Sequence, residues 1–439
     1  MQSRLKKLLI ITYYWPPAGG SGVQRWLKFV KYFRRYGYEP VVYTPENPEF
    51  MAHDQGLLAE IPQGIEVIKR KIFEPYNLYK IFTGRRGEAI KPGFIADSGG
   101  SSNKSFKETF SLFVRSNLFV PDPKCMWIRP SIKYLTRYLK TNPVDIIVST
   151  GPPHSMHLIA RGLARRTGIK WIADFRDPWT TMYTFKYMKN TSLTKLLHKR
   201  MERSVIREAD AVVVVTNFMK EEFLALKPKR IEVITNGFDA SDFAQINESL
   251  EDKFTITYTG LFVKDRNPSI LWRILGDMVK EVQGFGQDLL LRIIGHTDGS
   301  VWSDILDNSL DSNLVSMDYM PHEEVIKWQR RARILLLAGG QEPEAKGILT
   351  GKFFEYLAAR RPILGFGPIG GDMDIALKES EAGVLFDYND YTGARIWIEN
   401  QYTLYKKGEI YIPSGKIDNY SRERLCGRMA YLLDEEISK

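Results

Sequence analysis

The chain has only 2 cysteines in 439 residues, Cys125 and Cys426, and they lie far apart. That count excludes a disulfide framework, gives no zinc-ligand spacing and fits a reducing, cytoplasmic setting. Histidine is scarce as well, 6 in all, with no cluster of metal-ligand type. No apolar run reaches the roughly 18 residues of a membrane span. The start, "MQSRLKKLLIITYY", has the basic opening and short apolar core of a secretory leader. Trp15-Pro16-Pro17 cuts it short and no small-residue cleavage pattern fits, so it reads as a first buried strand. Internal repeats and extended low-complexity tracts are also missing, which excludes solenoid and fibrous architectures.

What is present is ordinary in total and uneven in distribution. The composition is 44% hydrophobic and 26% charged, that of a globular protein, and the length suggests about two or three domains. The net charge of +10 is the sum of two unlike parts. Residues 1–240 hold 39 Lys and Arg against 21 Asp and Glu, and the remainder holds 23 against 31. A basic first half points to an anionic partner, a membrane surface or a nucleic acid, or to a merely well-solvated surface.

Short apolar runs alternate with longer amphipathic segments. "LLIIT" (8–12), "VVYT" (41–44), "IEVIK" (65–69), "DIIVST" (145–150), "WIAD" (171–174), "AVVVVT" (211–216) and "EVIT" (232–235) read as strands buried on both faces. "TITYTG" (255–260), "LLLRIIG" (289–295), "RILLLAG" (333–339), "PILGFG" (362–367) and "GVLFD" (383–387) form a second series. Alternation of this kind predicts an α/β protein with two doubly wound, Rossmann-like parallel sheets. The boundaries are set at 1–240 and 241–415, with 416–439 a helix packing back toward the first domain. An insertion at about 73–140 breaks the pattern. Its middle reads as loop. Its end, "FKETFSLFVRSNLFVPDPKCMWIRPSIKYLTRYLK", either lies on a membrane or acceptor groove or packs as a helical insertion on its own domain.

Two stretches carry chemistry. In "TYYWPPAGGSGVQRW" (12–26), glycines sit between the first strand and an amphipathic helix closed by Gly37. Gly20-Ser21-Gly22 is half of a dinucleotide fingerprint, and Glu46 follows the second strand where a ribose would be held. Arg25 stands where the third glycine belongs, so a tight structural turn and a ligand loop remain open. In "GILTGKFFEYLAARRPILGFGPIGG" (347–371), Thr350 is placed to cap a helix starting near Gly351. Lys352 lies in its first turn and Glu355 one turn on, same side. A helix N-terminus with a lysine suits a diphosphate, and a carboxylate one turn inward suits paired sugar hydroxyls.

"GKFFEYLAARRPIL" resembles the donor-site helix of family-4 retaining glycosyltransferases of the GT-B fold. "YYWPPAGGSGVQRWLKFVKYFRRYGYEPVVYT", "VVVVTNFMKEEF" with "EVITNGFD", and "YTGLFVKDRNPSIL" are similar to other parts of that family in the same order. "IADFRDPW" and "VPDPKCMW" resemble a bacterial surface-polysaccharide subgroup. The resemblance implies a metal-independent enzyme that needs no cofactor. It would move a hexosyl or N-acetylhexosaminyl group from a nucleotide-diphosphate sugar, taken as a UDP-sugar, within an interdomain cleft. The acceptor would be a saccharide or a polyprenyl-diphosphate-linked sugar, at the inner face of an anionic membrane, with no nucleic acid involved.

On this resemblance Glu355 would bind the ribose, and Lys264 and Arg266 would neutralise the leaving diphosphate. Thr350, Gly351 and Lys352 would add donors, and Gly20, Ser21, Gly22 and Gly260 would let backbone approach the donor. Two departures stand out. Gly347 occupies the position of a usual glutamate, with Glu342 or Glu344 as nearby substitutes. Arg176, between Asp174 and Asp177, replaces a usual histidine; it stays protonated and is suited to an acceptor phosphate or to orienting the aspartates. His154 in "STGPPHSMH" is a further cleft candidate. No Asp-x-Asp follows the nucleotide strand, and "DMD" at 372–374 reads as a helix start. Competing readings are a nucleotide-sugar epimerase on the same scaffold, a dinucleotide-dependent oxidoreductase, and a non-catalytic sugar-binding protein.

Overall fold

The computed structural model describes residues 4–48, 53–73, 113, 116–182, 185, 188–243, 248–413 and 415–439. Most of the expected insertion, 74–112, lies outside the described residues. The chain divides into two compact units, Met1–Thr235 with Leu425–Lys439, and Asn236–Arg424.

The first unit contains strands β1 (Lys6–Ile11), β2 (Tyr38–Pro45), β3 (Glu66–Arg70), β4 (Ile146–Gly151), β5 (Trp171–Phe175), β6 (Ala211–Val214) and β7 (Ile231–Val233). They pair in the order β3-β2-β1-β4-β5-β6-β7, all parallel. Alternate residues of each strand enter opposite cores. Leu9, Ile11, Ile147, Val212 and Val214 pack on one face, and Leu8, Ile10, Ile146, Val148 and Val213 on the other. Burial of both faces is why these strands read as continuous apolar runs. The helix Ser21–Phe33 supplies Trp26, Phe29 and Phe33 to the second core, together with Leu425, Cys426, Met429 and Leu433 of the helix Arg422–Ile437. A short 3₁₀ turn, Arg34–Tyr36, and Gly37 at φ 82° end the first helix.

The helix Ile128–Thr141 turns Ser131, Leu135 and Leu139 inward, and the ring of Trp127 just before it stacks on Tyr43 at 4.8 Å. The described end of the insertion therefore packs on its own unit.

The second unit has β8 (Phe254–Thr259), β9 (Leu289–Ile294), β10 (Leu314–Met317), β11 (Ile334–Ala338), β12 (Ile363–Phe366) and β13 (Gly383–Phe386), in the order β10-β9-β8-β11-β12-β13. β10 does not figure among the expected strands. Its four residues, Leu-Val-Ser-Met, form a partly exposed edge with too short a run to show a period. Asp372 opens the helix Asp372–Ser380, and Asp374 Oδ2 accepts from Gly370 N–H at 2.8 Å and Lys378 at 2.9 Å, so "DMD" is a helix start. In each sheet the strand order reverses once, between β1 and β4 and between β8 and β11. Open parallel sheets bind ligands at the carboxyl ends beside such a reversal.

Candidate functional site

In the second unit, β8 delivers Gly260 at φ +98°, a conformation that side chains with a Cβ rarely adopt. A 3₁₀ turn, Lys264–Arg266, follows. Beside β11 the helix Gly351–Ala359 begins, with Thr350 extended at its cap position. The Thr350 hydroxyl makes no capping hydrogen bond, contrary to the expected side-chain cap. First-turn N–H groups of a helix have no partner within it and suit an external acceptor.

Lys352 is half-buried, its Nζ 3.6 Å from the centroid of the Tyr258 ring, and its Cε and Nζ lie against Gly260. Burial pushes the ammonium down to about 7. The charge of Arg266 acts in the same direction, and Glu355 opposes both. Lys264, Arg266 and Lys352 have no carboxylate within ion-pair distance among the described residues. Arg266 acts electrostatically on Lys352, and Lys264 shares the 3₁₀ turn of Arg266, its charge felt by Asp298; cations that are not ion-paired suit an incoming anion.

Glu355 is fixed on both oxygens. Oε1 lies 3.3 Å from Nε2 of His322, and Oε2 accepts from Nε2 of Gln329 at 3.2 Å. Gln329 is fully buried and also donates to Thr259 at 3.1 Å, at the end of β8. Sequence reasoning did not single out His322 or Gln329; the helix His322–Arg331 that bears them shows no motif. Glu342 and Glu344 are exposed around the 3₁₀ turn Pro343–Gly347.

At the β1/β4 ends of the first unit the arrangement differs. Gly20 precedes the helix at φ +88°, and Ser21 is its first residue. A Cβ on Gly22 would lie 3.0 Å from Nη1 of Arg176 and 3.1 Å from the ring of Tyr14. That space serves the protein's own side chains. Arg176 donates to the Gly22 carbonyl at 2.6 Å and to the Pro152 carbonyl, joining the glycine loop to the loop after β4.

Asp174 is fully buried in a pair with Arg25, Nη2 to Oδ1 2.8 Å. Trp26 Nε1 and the Thr150 hydroxyl donate to its Oδ2, each at 2.8 Å. Burial alone would raise this carboxyl; the charge and hydrogen bonds of Arg25 hold it below its usual range. Arg25 also donates to the carbonyls of Ile234 and Thr235, which accounts for an arginine where a third glycine was looked for. His154 stacks on Trp179 at 4.4 Å with its Nδ1 buried and without a hydrogen-bond partner among the described residues. Burial, then His157 and His198, keep it neutral. Asp177 is half-buried with no hydrogen-bond partner among the described residues. Burial raises its carboxyl against the pull of Arg176. Glu46 is exposed at the end of β2, away from the strand reversal.

Among the described residues, no group of three or more His, Cys, Asp and Glu is placed to hold a metal ion, and no helix is long and apolar enough to cross a membrane.

The two Rossmann-like units define the GT-B fold, and solved structures of that fold match the chain over nearly its whole length. A sucrose-phosphate synthase from Thermosynechococcus elongatus is similar at TM-score 0.55 and 12% identity, over 99% of each chain. A structure described as trehalose-6-phosphate from E. coli bound with UDP-2-fluoro glucose matches at TM-score 0.51 and 10% identity, over 98% of this chain and 96% of that one. One assigned as a UDP-N-acetylglucosamine 2-epimerase from Listeria monocytogenes matches at TM-score 0.52 and 10% identity, over the same shares. In sequence, residues 96–242 match the model of Glycosyltransferase Family 4. No curated protein matches the sequence.

Proposed function

We propose that the protein is a retaining glycosyltransferase of surface-polysaccharide synthesis. It moves a hexosyl or N-acetylhexosaminyl group from a nucleotide-diphosphate sugar, taken as a UDP-sugar, to a saccharide or polyprenyl-diphosphate-linked acceptor. The observation that carries this reading is the set of three cations, Lys264, Arg266 and Lys352, without an ion-paired carboxylate among the described residues at the β8/β11 strand ends, beside a doubly held Glu355. The match of residues 96–242 to a glycosyltransferase family supports it. So does the UDP-sugar analogue bound by one protein of the same fold.

In this reading Glu355 accepts hydrogen bonds from the ribose hydroxyls. The bond from sugar C1 to the diphosphate oxygen breaks, and the acceptor oxygen bonds to C1 from the same face. The acceptor's proton passes to the departing diphosphate. Lys264, Arg266, Lys352 and the N–H groups at Gly351 meet the charge that grows there, so the protein itself supplies the neutralisation. Asp177, in the first unit, is assigned to an acceptor hydroxyl. Asp174 and Arg176 are assigned to positioning, through the loops they join, and His154 to the wall of the acceptor side.

The test is incubation with a panel of UDP-sugars, with and without lipid-linked saccharides. UDP release that depends on acceptor, with the anomeric configuration kept in the product, supports the proposal. An isomerised nucleotide sugar without acceptor-dependent UDP release favours the epimerase, whose fold is shared.

A further inference from the structure

The strand β8 places Phe254, Ile256 and Tyr258 on one face, inside the core that also holds Leu271 and Leu275. Phe254 and Ile256 bring only hydrocarbon. Tyr258 is 1% exposed and brings a hydroxyl that needs an acceptor. It finds one three residues on, donating to the Leu261 carbonyl at 2.8 Å. The ring of Phe262 stacks on the Tyr258 ring, centroids 3.8 Å apart. The chain after Gly260 is therefore folded back over this side chain. Phe262 is held besides by its N–H, which donates to the His296 carbonyl at 2.9 Å, and by its carbonyl, which accepts from Asp298 N–H at 2.8 Å. The turn Lys264–Arg266 starts two residues later.

The far end of that turn is held too. Asn267 donates to Asp304 at 2.7 Å and accepts from Trp272 Nε1 at 2.7 Å. The Tyr388 hydroxyl donates to the Gly339 carbonyl at 2.7 Å and lies 3.4 Å from the Arg266 carbonyl. Phe262 covers one face of the Tyr258 ring, so Lys352 takes the other, its Nζ 3.6 Å from the centroid. The negative face of an aromatic ring attracts an ammonium and, unlike a carboxylate, leaves its charge in place. Burial raises the Tyr258 phenol and the charge of Arg266 opposes the rise, so Arg266 acts on this side chain as well.

We propose that Tyr258 is the positioning residue of the anion site: its hydroxyl fixes the entry to the turn bearing Lys264 and Arg266, and its ring seats Lys352 without neutralising it. Cations held in place beforehand need no reorganisation when charge arrives between them. The inference rests on the transferase reading for the identity of the anion, a nucleoside diphosphate. It adds to that reading the residue that brings the two limbs of the cation set together.

The experiment is binding of UDP, by isothermal titration at pH 7, and of uridine, which lacks the diphosphate, by ligand-observed NMR. Tyr258→Phe keeps the ring and removes only the hydroxyl. Tyr258→Leu removes the seat of Lys352 as well; it also opens the core, so Tyr258→Phe carries the decision. Tyr402→Phe is the control, a buried hydroxyl of the same unit that donates to Asp288 at 2.7 Å beside the amino end of β9. UDP affinity should fall about fivefold in Tyr258→Phe, the weight of one hydrogen bond. It should fall about tenfold further in Tyr258→Leu, where the cation–π contact goes too. Uridine should bind each variant as it binds the parent, and Tyr402→Phe should match the parent with both ligands. A Tyr258→Phe variant that binds UDP like the parent would overturn the proposal. So would equal weakening of UDP and uridine, or a loss in Tyr402→Phe as large as in Tyr258→Phe, since either marks a merely structural hydroxyl. A parent that does not bind UDP would overturn the nucleotide-sugar reading itself, whatever the variants do.

Discussion

At the β1/β4 ends of the first unit, the strong charges are consumed within the protein, apart from Asp177. Arg25 and Asp174 neutralise each other in full burial, and Arg176 spends its donors on the carbonyls of Gly22 and Pro152. At the equivalent β8/β11 ends of the second unit, Lys264, Arg266 and Lys352 have no such partners among the described residues, whereas Glu355 is tied down. Two sheets of the same topology thus use the same position differently. One closes its loops with an internal ion pair; the other keeps a positive site for an incoming anion. Stability should depend on the first cluster and ligand binding on the second.

The largest effect is expected where the closed cluster is broken. Asp174→Ala leaves the Arg25 guanidinium buried and uncompensated, a change that costs about 3–5 kcal/mol. Chemical denaturation should show that loss. A variant as stable as the parent would mean the pair is not what closes the first unit. The opposite behaviour is expected at the open cluster. Lys264→Ala and Arg266→Ala should each reduce turnover by about a hundredfold to a thousandfold, the range for removing one donor to developing charge. Their melting temperatures should stay put, and Lys352→Met, which removes a desolvated cation, should raise stability slightly. Folding defects in these variants would erase the distinction between the two clusters.

The contrast also has a pH signature. His157 is held at about 3 and His198 at about 4, chiefly by burial. Unfolded histidine takes up its proton near pH 6.5. The unfolded chain therefore binds more protons than the native one as pH falls below about 6.5, and stability drops through the window down to about 4. The slope should approach about 1.4 kcal/mol per pH unit for each histidine. His198→Phe should flatten part of it.

Lys352 reports on the other cluster. Free, it is largely neutral at pH 8, and an anion would restore its charge. UDP binding at that pH should then take up close to one proton, measured by calorimetry in buffers of different ionisation enthalpy. No uptake would separate Lys352 from the phosphates. The smallest effect is expected from Gln329→Leu, which frees one oxygen of Glu355. The cost is about 1 kcal/mol, seen as a several-fold rise in KM with kcat kept.

Much of the fold was legible because these strands are buried on both faces and so read as unbroken apolar runs. β10 was not, since an edge strand of four residues half in solvent has no such run. The second cluster was legible because Thr350, Gly351, Lys352 and Glu355 are close in sequence and a helical turn brings Lys352 and Glu355 to one side. The first was misleading for the opposite reason. Arg25 and Asp174 are separated by 149 residues, and nothing local shows that they meet, so Arg25 looked like a broken glycine pattern and Asp174 was grouped only with its neighbours Arg176 and Asp177. Gln329 and His322 were hidden because each acts through a neighbour on another helix.

The central claim is that the cations of the second unit bind a nucleoside diphosphate. Isothermal titration of the parent, Arg266→Ala and Asp177→Asn with UDP tests it most directly. The account predicts binding by the parent, its loss in Arg266→Ala and its survival in Asp177→Asn. Equal binding by the parent and Arg266→Ala, or loss only in Asp177→Asn, would contradict it.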